Sequence, residues 1–231
     1  MQRIETEADI SRGLDALVLL DRRLGPVRAI AGHVPLRRSP SGFASLASVI
    51  VSQQVSRASA DAIFGRLSRL VNPLTPERFL AGGEGVMVEA GLSRAKQKTL
   101  TLLSAAVIEG RLDLEALDAL PPDAAIAALT AIPGIGPWTA QVYLLVAAGH
   151  PDIFPAGDVA LQTAVGHALG FETRPNANHL LLMAESWAPL RSVAARLFWA
   201  YYREIRGVEA APAASIAENS AKCVRFAAPE R

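Results

Sequence analysis

The segment with the most distinctive chemistry spans 132–140 and reads Ile-Pro-Gly-Ile-Gly-Pro-Trp-Thr-Ala. Its two glycines, Gly134 and Gly136, permit a tight turn with positive φ, which residues with a Cβ adopt only at a cost. Pro137 suits the first position of a helix, because its φ is already helical and its missing N–H would be unpaired there. The glycine N–H groups and the helix start would then converge where a phosphate can bind. The pattern predicts a turn that grips a nucleic-acid backbone.

One carboxylate, Asp158, follows this turn at a distance that allows it to return. A helix over 138–148 would run about 16 Å at about 1.5 Å per residue, and the connection 149–157 could span up to about 30 Å. Such a carboxylate would stabilise the positive charge that builds on a sugar as its N-glycosidic bond breaks, by roughly 4 kcal/mol at ~4 Å and an effective dielectric near ~20. It could also orient or deprotonate the attacking water. An ordinary helix N-cap is the alternative.

Helical periodicity dominates the chain and strand signals are scarce, so the predicted fold class is all-α. A short helix should start at Thr75 by cap chemistry, with Pro76 at its first position. The segment 26–40, which contains three prolines, predicts a loop or a short extended piece. The tail from Gly207 is rich in Ala and Pro and is predicted to be poorly ordered. The other predicted helices are 7–24, 43–54, 56–70, 93–109, 113–119, 123–131, 138–148, 159–169, 176–187 and 190–205.

Composition limits the possible classes of protein. The 231 residues are 51% apolar, enough for one large domain or two small ones that share a core. The one cysteine, Cys223, excludes an internal disulfide framework and a four-cysteine metal cluster. The N-terminus lacks an apolar signal core, and the apolar run 17–20 is too short to span a bilayer, so we expect a soluble, cytoplasmic protein without a membrane partner.

The distribution of charge is more informative than its sum. The formal net charge is +1, but residues 22–111 carry 13 Lys and Arg against 5 Asp and Glu. This imbalance fits a basic face that meets a polyanion. A solvated surface on an arginine-rich stretch is the alternative.

Four sequence blocks carry a family resemblance: Ser-Gln-Gln-Val-Ser at 52–56, the turn at 132–140, Phe-Pro-Ala-Gly-Asp-Val-Ala-Leu at 154–161, and Trp-Ala-Pro-Leu-Arg-Ser at 187–192. With them the chain resembles the helix-hairpin-helix DNA glycosylases, in the 3-methyladenine DNA glycosylase II branch. The resemblance implies an all-α fold with two helical subdomains that flank an active-site cleft, and no iron–sulfur cluster.

The resemblance also implies a domain organisation. A glycosylase body is expected over 43–205, with the hairpin at 123–148. An N-terminal helix and loop, 1–42, would pack on this body, and 206–231 would form a C-terminal tail.

The activity that the resemblance implies is that of a monofunctional DNA glycosylase in base excision repair. Such an enzyme flips out an alkylated purine, such as 3-methyladenine or a 7-alkylpurine, and hydrolyses its N-glycosidic bond with Asp158 as the catalytic residue. Trp138 stands where members that also nick the backbone carry a Schiff-base lysine. The expected partner is damaged double-stranded DNA, bound by a monomer. A glycosylase of the same fold for deaminated or oxidised bases, and a non-catalytic DNA-binding module, remain alternatives.

Residues that would contact the base follow from the same resemblance. Gln54 would be the wedge that fills the vacated stack, and aromatic rings would attract a cationic base. Capping of the helix end is the alternative for the two glutamines, and core packing for Trp138 and Tyr143. The residues implied for the base pocket are Gln53, Trp138, Tyr143 and Trp199.

Residues that would contact the DNA backbone complete the implied site. For Arg57 and Lys96, the alternative is a side chain that is only solvated. The backbone carbonyls of Thr130, Ile132 and Ile135 would hold a monovalent cation, Na⁺ or K⁺, when DNA is bound, and no other cofactor is expected. The phosphate contacts implied are Gly134, Gly136, Thr139, Arg57 and Lys96.

Overall fold

A computed structural model describes residues 3–211, and every regular element among them is helical, which confirms the predicted all-α fold class. Short 3-10 helices occur at Ala116–Ala119 and Glu185–Trp187. The α-helices are α1 (Glu7–Leu20), α2 (Leu24–Ala31), α3 (Phe43–Ser52), α4 (Arg57–Leu70), α5 (Pro76–Ala90), α6 (Arg94–Ile108), α7 (Pro122–Thr130), α8 (Pro137–Val146), α9 (Val159–Ala168), α10 (Ala177–Ala184) and α11 (Arg191–Arg206).

Cap residues fix many of the helix starts. The side chains of Ser56, Thr75 and Ser93 accept hydrogen bonds from backbone N–H groups in the first turns of α4, α5 and α6. These contacts satisfy donors that have no partner inside the helix. The predicted start of α5 at Thr75 is therefore confirmed, although α5 is longer than predicted. Gly83, with φ of 67°, kinks α5 instead of ending it.

The prediction of a loop over 26–40 is wrong in its first part, because Pro26 lies inside α2. Pro26 is the third residue of that helix, where a backbone N–H would have no carbonyl partner in any case. The predicted helix 7–24 is correspondingly too long, because α1 ends at Leu20. Asp21 ends α1 with extended backbone angles, φ of −135° and ψ of 98°, before α2 begins at Leu24.

The chain divides into two compact units, and the boundary near 139/140 falls within α8. The first unit contains 3–36 and 140–211, and the second contains 37–139. The first unit thus joins the N-terminal segment to the C-terminal half of the chain. The predicted tail, 206–231, lies outside the described residues from position 212 onward.

In the first unit, α11 is the central helix and packs against α1, α2 and α9. Its ring Phe198 lies 5.2 Å from Trp187, and Trp187 lies 5.3 Å from Phe154, measured between ring centroids. These rings are buried and form much of the core of this unit. Because Phe154 precedes the Pro-Ala-Gly-Asp turn, the core also anchors the chain that leads to Asp158.

A buried carboxylate joins the ends of two elements of the first unit. Asp21 Oδ2 accepts a hydrogen bond from Trp187 Nε1 at 3.0 Å, and the Arg23 guanidinium donates to both carboxylate oxygens at 2.9 and 2.8 Å. The hydrogen bonds from Arg23, followed by that from Trp187, lower the pKa of Asp21 to about 2, although burial opposes the shift.

In the second unit, α3 to α6 pack in sequence, and α3 also packs against α6. Leu46 and Ile50 of α3 and Leu100 and Leu103 of α6 are fully buried in its core. This packing brings the end of α3 close to the first half of α6. Among residues 3–211, no helix is both long and apolar enough to cross a membrane.

Candidate active site

The predicted hairpin is present, and its first helix and its turn lie in the second unit. Helix α7 ends at Thr130, the turn occupies 131–136, and Pro137 begins α8 as predicted. Ile132 and Ile135 are buried, whereas Pro133 and Gly134 are exposed between them. The isoleucines anchor the turn, and the glycine segment faces solvent, where a ligand can reach it. Helix α7 begins one residue earlier than predicted, at Pro122, without a side-chain cap.

The two glycines of the turn differ in what they require. Gly134 has φ of 93°, and a Cβ built on it would lie 1.9 Å from Thr99 Oγ1. Gly136 lies outside the left-handed region, and a Cβ there would meet no atom within 4 Å. The prediction of positive φ therefore holds for Gly134 and is wrong for Gly136. Nothing in the described part of the chain requires glycine at 136, so the open space suits a group from outside.

The elbow between α3 and α4, residues 53–56, has an unusual backbone. Gln54 has φ of 55°, in the left-handed region that residues other than glycine rarely adopt. Gln54 and the following Val55 are exposed. Strained conformations of this kind cost about 1–3 kcal/mol and concentrate at functional positions. The wedge role stays a prediction, and the exposed, strained backbone is consistent with it.

Gln53 holds the elbow against the hairpin. Its Nε2 donates hydrogen bonds to Thr139 Oγ1 at 2.8 Å and to the Gly134 carbonyl at 3.2 Å. The amide nitrogen therefore donates to acceptors within the protein, whereas the sequence analysis assigned Gln53 to the base pocket. Thr139 is only 2% exposed. Its hydroxyl accepts from Gln53, so the predicted phosphate contact through Thr139 is not supported.

Lys96 does not lie where a phosphate could reach it. It is 8% exposed, and its Nζ donates to the Val51 carbonyl at 2.7 Å, near the C-terminal end of α3. Burial lowers the pKa of this ammonium group. The predicted phosphate contact is therefore wrong, and Lys96 serves as a tie between α6 and α3.

Lys98 of α6, which the sequence analysis missed, is exposed. Residues 96 and 98 are two apart and so point to different faces of a helix. Periodicity could have separated them, had the direction of the buried face been known. Thr99, next to Lys98 in the chain, lies against the hairpin at Gly134.

Much of the basic excess over 22–111 is bound in local contacts. Arg57 Nε lies 3.2 Å from Asp61 Oδ2, with its side chain 26% exposed. Three further arginines donate to backbone carbonyls: Arg66 to Ala90, Arg69 to Gly65 and Arg78 to Asn72. A contact with a carbonyl leaves the positive charge in place, so these side chains still contribute to a basic field.

Asp158 lies in the first unit as the N-cap of α9. Its Oδ1 accepts hydrogen bonds from the Leu161 N–H at 3.0 Å and from Trp199 Nε1 at 3.4 Å, and the residue is 7% exposed. The cap interpretation is confirmed, and it does not exclude a catalytic role. A helix N-terminus stabilises the ionised carboxylate by about 0.3–1 kcal/mol at an exposed site and by more when it is partly buried.

The chain that precedes Asp158 is tied to the start of α11. Asp152 accepts hydrogen bonds from Arg191 Nε and Nη2, both at 2.8 Å. The Ser192 hydroxyl donates to the Ile153 carbonyl at 3.0 Å and accepts from its N–H at 2.9 Å. Because α11 also carries Trp199, one helix fixes both the approach to Asp158 and a donor to its carboxylate.

The predicted aromatic pocket residues differ in exposure. Trp199 and Tyr143 are fully buried in the first unit, so neither ring is open to a ligand there. Tyr143 is a core residue, as the alternative interpretation held. Trp199 contacts Asp158 instead of presenting a free wall. Trp138, in the second unit, is half-buried.

The carbonyls expected to bind a cation belong to one short segment. Ile132 already accepts a hydrogen bond from the Ile135 N–H at 3.0 Å, but a carbonyl oxygen has a second lone pair. Thr130, Ile132 and Ile135 offer neutral oxygens, which fit a hard cation of low charge. No cluster of His, Cys, Asp and Glu among the described residues could hold a metal ion.

Comparison with curated proteins finds several DNA repair proteins. The chain is 31% identical over 188 residues to the probable bifunctional transcriptional activator/DNA repair enzyme AlkA of Mycobacterium tuberculosis, a match that covers 75% of this chain and 36% of that protein. The chain therefore spans about a third of the length of that relative. It is 29% identical to DNA-3-methyladenine glycosylase 1 of Schizosaccharomyces pombe, over 75% of this chain and 78% of that protein.

Solved structures show the same fold. The Schizosaccharomyces pombe 3-methyladenine DNA glycosylase Mag1, in complex with abasic DNA, superposes with a TM-score of 0.76 at 26% identity, over 83% of this chain and 95% of that one. The DNA-3-methyladenine glycosidase of Bacillus halodurans gives a TM-score of 0.71 at 32% identity, over 87% and 93% of the two chains.

The family model of the HhH-GPD superfamily base excision DNA repair proteins matches residues 47–189. This range contains the elbow, the hairpin and Asp158, the features on which the sequence resemblance was based. The resemblance is confirmed, and the chain belongs to the HhH-GPD superfamily of base excision DNA repair proteins.

Proposed function

We propose that this chain is a monofunctional DNA glycosylase that hydrolyses the N-glycosidic bond of alkylated purines in damaged double-stranded DNA. The observation that carries the proposal is the buried carboxylate of Asp158, held at a helix start by the Leu161 N–H and by Trp199. Relatives named as 3-methyladenine DNA glycosylases support the substrate class. We expect the protein to act as a monomer in the cytoplasm.

The reaction needs a negative charge near the sugar. The C1′–N bond breaks, its electron pair leaves with the base, and a cationic alkylated purine departs as a neutral molecule. Because that base is already a good leaving group, no general acid is required. Asp158 would stabilise the oxocarbenium-like sugar. Water then bonds to C1′, and its proton passes to the carboxylate and on to solvent.

The second unit would supply the grip on DNA. The exposed hairpin offers N–H groups of a glycine turn and the start of α8, where the dipole favours an anion. A cation at the carbonyls of Thr130, Ile132 and Ile135 would add charge that neutralises the same phosphate. Gly136 supports this role, because its open side allows a close approach of the DNA backbone.

Two further residues fit the monofunctional assignment. Gln54 would enter the base stack as the wedge, from an elbow that already projects it into solvent. Trp138 would flank the extruded base, with a cation–π attraction of roughly 1–2 kcal/mol when desolvated. With tryptophan at 138, no amine is available there for a Schiff base, so the product would be an abasic site.

The substitution Asp158→Asn tests the catalytic role. Asparagine is as good an N-cap as aspartate, so α9 should keep its start while the charge is removed. Loss of about 4 kcal/mol of charge stabilisation corresponds to about a 10³-fold slower release of the base. The assay is single-turnover release of bases from a methylated duplex, with binding to the same duplex measured in parallel.

A matched control comes from Asp113, an exposed aspartate whose Oδ1 accepts from the Glu115 and Ala116 N–H groups. Asp113→Asn also removes one charge from a capping carboxylate and should leave base release unchanged. Equal rates for Asp158→Asn and the natural sequence would refute the catalytic role. Release of deaminated or oxidised bases instead of alkylated ones would show that the substrate class is the alternative one.

A further inference from the structure

Three elements of the second unit meet at one junction: the end of α3 with its elbow, the first half of α6, and the turn of the hairpin. Lys96 of α6 donates from Nζ to the Val51 carbonyl of α3 at 2.7 Å. Thr99 of α6 lies directly beneath Gly134, with no room for a Cβ between them. Gln53 of the elbow donates to Thr139 Oγ1 and to the Gly134 carbonyl. Each element is therefore tied to both of the others.

Such a closed set of contacts restricts motion more than a chain of contacts does. The elbow cannot shift relative to the hairpin without breaking the bonds of Gln53, and α6 holds both from behind. The partners of Gln53 are 81 and 86 residues away in the sequence. Its amide nitrogen has no role in holding α3 itself, whose end is fixed by backbone bonds and by Lys96. The contact thus links the elbow and the hairpin directly, whereas α6 links them only through its own contacts with each.

The residue next to Gln53 explains why this link matters. Gln54 is exposed with φ of 55°, a conformation that persists only where the surroundings hold it. A wedge acts against the restoring force of the base stack, so it needs a fixed support on the DNA. The hairpin, if it binds a phosphate, is such a support, and the hydrogen bonds of Gln53 connect it to the elbow that carries Gln54.

We propose that Gln53 is a positioning residue that couples phosphate binding at the hairpin to insertion of Gln54 into the DNA stack. This inference rests on the proposed function and adds a step to it. Phosphate binding fixes the turn at Gly134 and with it the first turn of α8, which carries the buried Thr139. The Gln53 amide transmits that position to the elbow, and Gln54 is held against the duplex. Without the amide, the hairpin still binds DNA, but the elbow is free to retreat when the base returns to the stack.

The variant Gln53→Met tests the coupling, because methionine is similar in length and cannot donate a hydrogen bond. Gln97→Met is the matched control: Gln97 is a buried glutamine of the same unit whose Nε2 donates to the Leu92 carbonyl at 2.8 Å, a local contact with the connection that precedes α6. Both variants lose an amide that donates a hydrogen bond, half-buried at Gln53 and buried at Gln97, but only Gln53→Met loses the tie between the elbow and the hairpin. Thr139→Val removes an acceptor of Gln53 from the hairpin side while keeping a β-branched side chain.

Three readouts distinguish a role of Gln53 in stabilising the fold from a role in coupling the hairpin to the elbow. Affinity for an undamaged duplex reports the hairpin, 2-aminopurine fluorescence at the target position reports base extrusion, and single-turnover base release reports the reaction. For Gln53→Met we expect unchanged affinity for undamaged DNA and about tenfold weaker extrusion and slower release, the size expected from the loss of one or two hydrogen bonds. Thr139→Val should give a smaller loss of the same kind.

A second substitution, Gln54→Ala, tests whether Gln53 acts on base extrusion through Gln54. In the natural sequence it should reduce extrusion, whereas in the Gln53→Met background it should cost little more, because the wedge is no longer supported. Additive effects, or equal extrusion by Gln53→Met and Gln97→Met, would overturn the coupling. If Gln53→Met fails to fold, full extrusion by Thr139→Val would overturn it as well. Absence of base release by the natural sequence from any lesion would instead refute the proposed function, and extrusion would still decide the coupling.

Discussion

The two glycines of the hairpin should respond in opposite ways to the same added methyl group. Gly134→Ala forces a left-handed backbone on alanine, which costs about 1–2 kcal/mol. Its Cβ would also lie 1.9 Å from Thr99 Oγ1, so neighbouring atoms must move, at about 1–3 kcal/mol for an overpacked site. The expected loss is therefore about 2–5 kcal/mol of the free energy of unfolding.

Gly136→Ala meets neither obstacle. Its φ lies outside the left-handed region and no atom lies within 4 Å of the added Cβ. A glycine replaced by alanine in a compatible conformation stabilises a protein by about 0.4–1 kcal/mol, because the unfolded chain loses freedom. The methyl group would, however, stand where the phosphate is proposed to approach. Loss of a hydrogen bond to a charged group, about 1.5–3 kcal/mol, would weaken DNA binding by roughly 10- to 100-fold.

Two measurements on both variants decide the matter. Urea unfolding gives the stability, and fluorescence anisotropy with an undamaged duplex gives the affinity, at one fixed salt concentration because phosphate contacts depend strongly on salt. A Gly136→Ala variant that is stable and binds DNA with the natural affinity would refute the phosphate contact. A Gly134→Ala variant of natural stability would refute the account of the turn itself.

Two other predictions concern stability. The pKa of Asp21 is lowered in the folded state to about 2, so its contribution to stability is present above pH ~4 and is lost as the pH falls toward ~2. Urea unfolding should show that Asp21→Asn lowers the free energy of unfolding by about 1–2 kcal/mol at pH 7 and by roughly half of that at pH 3. The control Asp15→Asn alters an exposed ion pair with Arg28 and should cost little at either pH. A loss for Asp21→Asn that does not change with pH would contradict the lowered pKa. The Ser104 hydroxyl is fully buried without a hydrogen-bond partner among the described residues, so Ser104→Ala should stabilise the protein by about 1 kcal/mol in the same assay; destabilisation would show that the hydroxyl is satisfied.

Local signals in the sequence predicted much of this structure. The glycine and proline positions of 132–137 place the turn and the start of α8, because each restricts the backbone by itself. Ser and Thr before apolar runs place the starts of α4, α5 and α6 for the same reason. The N-cap position of Asp158 at the start of α9 could be predicted from the same kind of local signal. Pro26 misled the prediction, since a proline in a first turn and a proline in a loop look alike in one sequence.

Contacts between distant residues were not accessible in this way. Gln53 was assigned to a base pocket, and its partners lie more than 80 positions away, on the hairpin. Lys96 and Lys98 are equivalent by composition, and only the packing of α6 against α3 decides that one is buried and the other exposed. Trp199 could be recognised as part of the site, but its role as a donor to Asp158 depends on how α11 lies beside α9.

The order of the two units along the chain has a consequence for biosynthesis. The second unit is one continuous stretch, 37–139, whereas the first needs 3–36 together with 140–211. As the polypeptide leaves the ribosome, α1 and α2 emerge first but have to wait for α11, against which they pack. The hairpin-bearing half can therefore mature while synthesis continues, and the half that contains the carboxylate closes last.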